Sequence, residues 1–245
     1  MLPVGNRPIV DYVVQDCIKA GITDIYFVVG EQSIQLHDFY RNNVELNDYL
    51  RRTGKDDLLP LIAPPKVRLH YVVQSSYGKY GTSIPVALAY EAMGEPEESV
   101  VVLMGDDCIY NPDGSSEVQR LIDATPEGEC AMVGVKVAHN QVSQYGVIEM
   151  NDAHEFVRIV EKPSVDEAPS NLINVSKYVL NPTALRAIRA HAASVQPGEY
   201  YITDPINHVV AEGTRLKVIP AVGSYLDAGT LEGWLAANEV VIRGS

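Results

Sequence analysis

The 245-residue sequence predicts an α/β fold, a mostly parallel mixed sheet flanked by helices with a smaller antiparallel portion. Two observations carry this. In the first part of the chain, short apolar runs alternate with segments of helical period, the pattern of βαβ units with right-handed crossovers. After residue 135 the runs become shorter and polar turns separate them, as in antiparallel pairing.

Taken in order, Gly5-Asn6-Arg7-Pro8 forms a turn, Ile9, Val13, Cys17 and Ile18 follow at helical spacing, and Gly21 stops the helix. Residues 25–29 read as a strand ending at Gly30, 32–52 as a polar helix, and Gly54-Lys55-Asp56-Asp57 breaks it. A strand at 67–73, a helix at 82–93 and a strand at 100–104 complete this half. The pattern changes after the apolar run at 130–135, with short strands at 145–149, 157–161 and 175–180. Helices at 183–191 and 203–212, a strand at 216–220 and a helix at 230–241 close the chain. No linker or repeat divides it, so one domain over 1–245 is the economical reading.

Hydrophobic residues make up 46% and charged residues 21%, an ordinary globular balance. The net charge of -13 argues against a nucleic-acid partner, whose backbone needs clustered Lys and Arg. A phosphorylated small molecule stays compatible, held by a few local cations or a metal. Cys17, Cys108 and Cys130 are scattered and odd in number, which fits a reduced setting without structural zinc. No apolar run approaches the ~20 residues of a membrane span, and the N-terminus lacks signal-peptide features. A cytoplasmic protein that engages no membrane is expected.

Five segments carry candidate chemistry. Val100 to Met104 reads as a buried parallel strand, and Gly105-Asp106-Asp107 would stand at its carboxyl end, where open α/β sheets bind ligands. A carboxylate there can hold a divalent cation, which in turn holds phosphate oxygens, although Gly and Asp are also turn residues. In Tyr225-Leu226-Asp227-Ala228-Gly229-Thr230, either Asp227 or Thr230 caps the last helix, or Asp227 joins Asp106 on one Mg²⁺. Val160-Glu161-Lys162-Pro163 is a strand end with a solvated charge pair, or a site where Lys162 binds phosphate and Glu161 accepts hydroxyls. The loop from Gln74 to Ser83 offers an amide that can pair with a base edge, and a glycine, Gly81, that admits a ring. Gln144-Tyr145-Gly146-Val147 opens a strand whose glycine backbone can meet a ligand.

Together these segments resemble one family, the sugar-1-phosphate nucleotidyltransferases, and within it the bacterial and archaeal UTP–glucose-1-phosphate uridylyltransferases. The likeness runs from Met1-Leu2-Pro3-Val4 through Ala168-Pro169-Ser170-Asn171-Leu172, Ile202-Thr203-Asp204 and Leu226 to Thr230, in matching order. It implies a Rossmann-like nucleotide-diphospho-sugar transferase fold, with Asp106 and Asp227 binding Mg²⁺ and Gln74 and Gly81 recognising uracil. Asp107 would lie beside the nucleotide, while Gly146, Glu161 and Lys162 would hold glucose 1-phosphate. Asp106 and Lys162 would be the catalytic pair, the reaction implied would give UDP-glucose and pyrophosphate from UTP and glucose 1-phosphate, and self-association is implied as well.

A thymidylyl or other sugar-1-phosphate nucleotidyltransferase is the alternative within this chemistry, with residues 168–172 favouring the uridylyl branch. A catalytically inactive nucleotide-sugar-binding homologue is the alternative outside it. The family begins with a strand and a Gly-x-Gly-Thr-Arg loop followed by a Lys, and these precede the segment matching Met1-Leu2-Pro3-Val4. The expectation is therefore an N-terminally truncated chain, lacking roughly 20–30 residues, enough for a strand and a loop.

Overall fold

The computed structural model describes residues 3–244, so Met1 and Leu2 of the first motif, and Ser245, lie outside it. In chain order its elements are β1 (Pro3–Val4), β2 (Arg7–Pro8), α1 (Ile9–Lys19), β3 (Asp24–Gly30), α2 (Gln35–Tyr40), α3 (Val44–Arg52) and α4 (Leu59–Ile62). There follow β4 (Arg68–Gln74), α5 (Ser83–Ala92), β5 (Val100–Leu103), β6 (Asp107–Tyr110), α6 (Glu117–Ala124), β7 (Cys130–Lys136), β8 (Gly146–Met150) and β9 (Phe156–Glu161). The rest is β10 (Leu172–Leu180), α7 (Pro182–Ala193), α8 (Thr203–Ala211), β11 (Leu216–Pro220), β12 (Ser224–Asp227) and α9 (Leu231–Arg243).

A mixed sheet in the order β11-β7-β10-β8-β9, with β5 also on β10, forms the centre. Its residues alternate between two cores, as the two-residue period of a strand requires. Met132, Tyr178 and Leu180 face Tyr90 of α5, Leu185 of α7 and Ile206 of α8. Ala131, Val133, Val175 and Val179 face the opposite way, against Leu121 of α6. A third cluster joins Ile9 and Val13 of α1 to Cys108, Leu226, Ala237 and Val241. The α/β architecture with a helix-flanked mixed sheet is thus the expected one. Its parallel ladders are β3 with β4 and β7 with β11. None of the helices among the described residues is long and apolar enough to cross a membrane.

Three local departures have physical causes. The helix expected over 32–52 is two helices, because the Asn43 side chain accepts from the Leu46 amide at 3.0 Å and starts α3 anew. The chain after Gly105-Asp106 does not merely turn: it runs into β6, which pairs antiparallel with β12. The third concerns β5.

The apolar run of β5 reads as a strand buried from all sides, yet all four of its residues are only partly buried. It pairs antiparallel with β10 along one edge and has no ladder along the other among the described residues. Across from that open edge lies β3, paired with β4 alone and likewise only partly buried over Asp24–Val29. Between the two edges runs an apolar slot of about 540 Å³, flanked by α1 and α5. Consecutive residues of both strands line it, Ile25 to Val28 and Val100 to Leu103. In a strand consecutive side chains point to opposite faces, so the slot runs alongside the strands, where a neighbouring strand would pair.

Candidate functional site

The carboxyl end of β5 builds the first half of the site. The β6–β12 ladder sets Asp227 opposite Asp107, and the Ala228 amide donates to the Asp106 carbonyl at 3.2 Å. Two acids distant in sequence thereby stand side by side. The Asp106 side chain is exposed, and among the described residues no hydrogen bond or ion pair engages its carboxylate. Asp227 is held more firmly, its Oδ1 accepting from the Gly229 amide at 2.8 Å and its Oδ2 from the Tyr145 hydroxyl at 3.4 Å. The cap of α9 is Thr230, which accepts from the Gly233 amide at 3.0 Å. Asp227 is therefore left to another task.

These two acids do not stand in a dense ligand cage, since no cluster of three or more His, Cys, Asp or Glu occurs among the described residues. A pair of carboxylates is the donor set that Mg²⁺ commonly takes from protein, with phosphate oxygens and water completing its shell. The residues present fit that ion.

The second half comes from the β8–β9 ladder, which sets Gly146 opposite Glu161. A Cβ at Gly146 would stand 3.0 Å from Glu161 Oε2 and 2.9 Å from Ile159 Cγ2, so the glycine leaves the carboxylate its place. Burial pushes the Glu161 carboxyl above its ordinary range, with Lys162 and the Thr203 hydroxyl, 3.4 Å from Oε2, pulling it back. Lys162 adopts φ of 44°, left-handed backbone that costs a non-glycine residue roughly 1 kcal/mol or more. Its amide donates to the Tyr145 carbonyl at 3.0 Å, and its Nζ lies 5.8 Å from the centre of the Tyr201 ring. Tyr145 joins the two halves, its carbonyl fixing Lys162 and its hydroxyl reaching Asp227.

Gln74 closes β4 opposite Gly30, at the carboxyl ends of the parallel pair. Gly81 has φ of +114°, and a Cβ there would meet the Tyr200 backbone at 2.5 Å from N and 2.6 Å from O. The Tyr200 amide donates to the Tyr80 carbonyl and the Ser83 amide to the Tyr200 carbonyl, both at 2.9 Å. The room that Gly81 makes is thus taken by the 200–202 loop and not by a ring of a ligand, which corrects the sequence expectation. Gly81→Ala is expected to destabilise the fold by about 2–4 kcal/mol, combining overpacking with a strained φ. Thermal melting checks this, and an unchanged midpoint would mean that the two loops separate freely.

Asp107 also departs from expectation. It is 7% exposed, paired with the equally buried Lys177, and its Oδ2 accepts from the Tyr225 hydroxyl at 3.0 Å. Burial pushes its carboxyl up, while Lys177 and Tyr225 pull it back. Its oxygens are turned to protein partners in the wall beneath Asp106 and not toward a nucleotide. Lys177, Tyr225, Tyr145 and Thr203 were not singled out from the sequence, though Lys177 carried a signal as a lone cation in the otherwise apolar or neutral run of β10. The thiols of Cys17 and Cys108 are pushed up to about 12 by burial, which removes them as nucleophiles.

Comparison with known proteins bears on the whole assembly. The Nucleotidyl transferase family profile matches residues 1–243. The chain belongs to the Nucleotidyl transferase family. A Methanocaldococcus jannaschii member, provisionally named UTP–glucose-1-phosphate uridylyltransferase, is 35% identical over 97% of this chain and 83% of its own. A Streptococcus pneumoniae UTP–glucose-1-phosphate uridylyltransferase is 31% identical over 97% of this chain and 81% of its own. Among solved structures, a UTP-bound UGPase of Acinetobacter baumannii superposes with a TM-score of 0.86 at 26% identity, covering 98% of this chain and 84% of that one. As a nucleotidyl transferase by family, the chain has its acidic pair at the strand ends and its lysine on the opposite wall, an arrangement suited to holding two phosphorylated substrates.

Proposed function

We propose that this protein is a uridylyltransferase that joins UTP and glucose 1-phosphate into UDP-glucose with release of pyrophosphate, using Mg²⁺. The observation that carries the reading is the link through Tyr145 between an acidic pair, Asp106 and Asp227, and a cation, Lys162, beside a hydroxyl acceptor, Glu161. A sugar phosphate needs those last two groups together, one for its charge and one for its hydroxyls. When bound at Asp106 and Asp227, Mg²⁺ supplies positive charge toward the phosphate oxygens.

The remaining chemistry asks little of the protein. A phosphate oxygen of glucose 1-phosphate is already a nucleophile, so no side chain has to be activated. The need is to bring two anions together in line, and charge and position supply most of the rate. Lys162, fixed by its own amide bond to Tyr145, offsets the charge of the attacking phosphate. Gln74 is placed to pair with a base edge through its amide.

The slot beside β5 reaches Gly105 and Asp106 at one end. We read it as the seat of an extended segment from upstream of Met1, the roughly 20–30 residues expected above, whose continuation would complete the phosphate site. The same slot favours a second reading, a homologue that binds nucleotide sugar without turning it over. Pyrophosphate release measured with UTP, glucose 1-phosphate and Mg²⁺ decides between them. Release dependent on all three supports the transferase; binding of UDP-glucose without release supports the inactive homologue. Faster release with dTTP than with UTP would move the assignment to a thymidylyltransferase.

A further inference from the structure

We infer that Lys177 is a positioning residue, holding the carboxylates of Asp106 and Asp227 in place for a divalent cation through its ion pair with Asp107. The inference rests on the metal reading proposed above and adds to it the device that fixes its ligands.

The device begins in an irregularity of β10. Against β7, Asn174 pairs with Gly134 and Tyr178 with Met132, so three residues of β10 stand opposite Val133 alone. The bulge is held by the Asn174 side chain, which accepts from the Ser176 amide at 3.0 Å and donates to the Tyr178 hydroxyl at 2.5 Å. Ser176 takes φ of 51°, left-handed backbone in a residue that is not glycine. Bulges of this kind redirect a side chain, and the one redirected here is a lysine. Lys177 pairs in register with Leu103, the last residue of β5, three residues before Asp106.

From there Lys177, 5% exposed, reaches Asp107. Asp107 follows Asp106 in the chain and faces Asp227 across the β6–β12 ladder, so it touches both candidate ligand segments through the backbone. Its second oxygen takes the Tyr225 hydroxyl, and the Tyr225 ring stands edge-on to Tyr145, centroids 6.5 Å apart, whose own hydroxyl reaches Asp227. The β6–β12 pair forms a sheet of its own, separate in pairing from the central one. Among the described residues, the ion pair is the charged contact that ties it to β10.

Folding alone explains this pair poorly. Its surroundings are largely apolar, with Leu103, Cys108, Leu121 and Val133 lining the same small cavity as Lys177. A buried ion pair in such a shell is often no more stable than apolar residues of the same volume. What it gives is a fixed geometry, since two charges with few alternative partners hold one arrangement.

The test separates the two roles. Lys177→Met and the double variant Lys177→Met/Asp107→Asn are compared with the parent chain by thermal melting and by Mn²⁺ titration followed by electron paramagnetic resonance with UDP-glucose present. Lys177→Met is expected to lower the melting temperature, because Asp107 is left buried without its cation. The double variant, with no orphaned charge, is expected to recover most of that loss while still binding Mn²⁺ about tenfold or more weakly, the usual scale for groups that orient metal ligands. A double variant that recovers melting temperature and Mn²⁺ affinity together overturns the inference and leaves the pair a folding element. A parent chain that binds no Mn²⁺, with Asp106→Asn as control, withdraws the metal reading and this inference with it.

Discussion

Asp106→Asn is expected to lower Mg²⁺-dependent pyrophosphate release by about a thousandfold or more while leaving the melting temperature almost unchanged. The size of the first effect follows from the task assigned to the group. A carboxylate that holds a cation on phosphate oxygens contributes on the order of 4 kcal/mol to the transition state, and each ~1.4 kcal/mol is a factor of ten in rate. The amide keeps the shape of the side chain but gives up its charge. The small second effect follows from its surroundings: Asp106 is exposed, and its side chain has no hydrogen bond or ion pair among the described residues. Surface changes of that kind usually stay within about 0.5 kcal/mol. Pyrophosphate release and a melting curve on the same preparation check both halves. Full activity in the variant would end the metal assignment, and a large loss of stability would mean that Asp106 serves the fold.

That Asp106 could be singled out at all shows which features are legible in a sequence. An apolar run ending on Gly105-Asp106-Asp107 announces a strand end with carboxylates, and Val160-Glu161-Lys162-Pro163 announces an acid and a base at another, because both signals are local. The difference between Asp106 and its neighbour Asp107 is not local. Which acid faces out depends on β6 pairing with β12 more than a hundred residues later, and on a bulge in β10 that aims Lys177 at the inner one. Short strands of four residues leave little periodicity to read, so β6 and β12 could not be seen beforehand. Gly81 misled for a related reason: positive φ is a property of the residue, but the Tyr200 backbone that fills the space beside it belongs to a distant loop.

The run Val100-Val101-Val102-Leu103 is a different case, in which the sequence reading asks for something the described residues do not provide. A strand apolar at each position suits a sheet interior, paired on both edges and covered on both faces. Here β5 is paired on one edge only. The sequence of β3, with Ile25, Tyr26, Phe27, Val28 and Val29 in succession, makes the same demand and is also paired on one edge only. Two strands of interior composition, each open toward the other across one slot, define the place of a third.

Accordingly, a chain carrying an apolar β-strand of about five residues upstream of Met1, joined by a loop long enough to reach the slot, is expected to melt roughly 10 °C above the 245-residue chain. Each inserted side chain that is fully buried contributes about 1.5–3 kcal/mol, and the slot walls bury further apolar area at the same time. Against this stands an ordering cost of about 1–2 kcal/mol per backbone residue. The surplus is on the order of 3–5 kcal/mol, and ~2–4 °C per kcal/mol is the usual conversion for a domain of this length. Hydrogen exchange gives a second reading, since amides of β3 and β5 should gain protection in the extended chain while those of β8 and β9 stay as they were. Equal melting temperatures with unchanged exchange in β3 and β5 would show that the slot does not seat a strand. Because the slot ends at Gly105, Asp106 and Ala228, whatever follows the seated strand emerges beside the acidic pair. An extension that raises stability alone has only filled the sheet; one that also raises pyrophosphate release has brought residues to the phosphates that the described site leaves without enough positive charge.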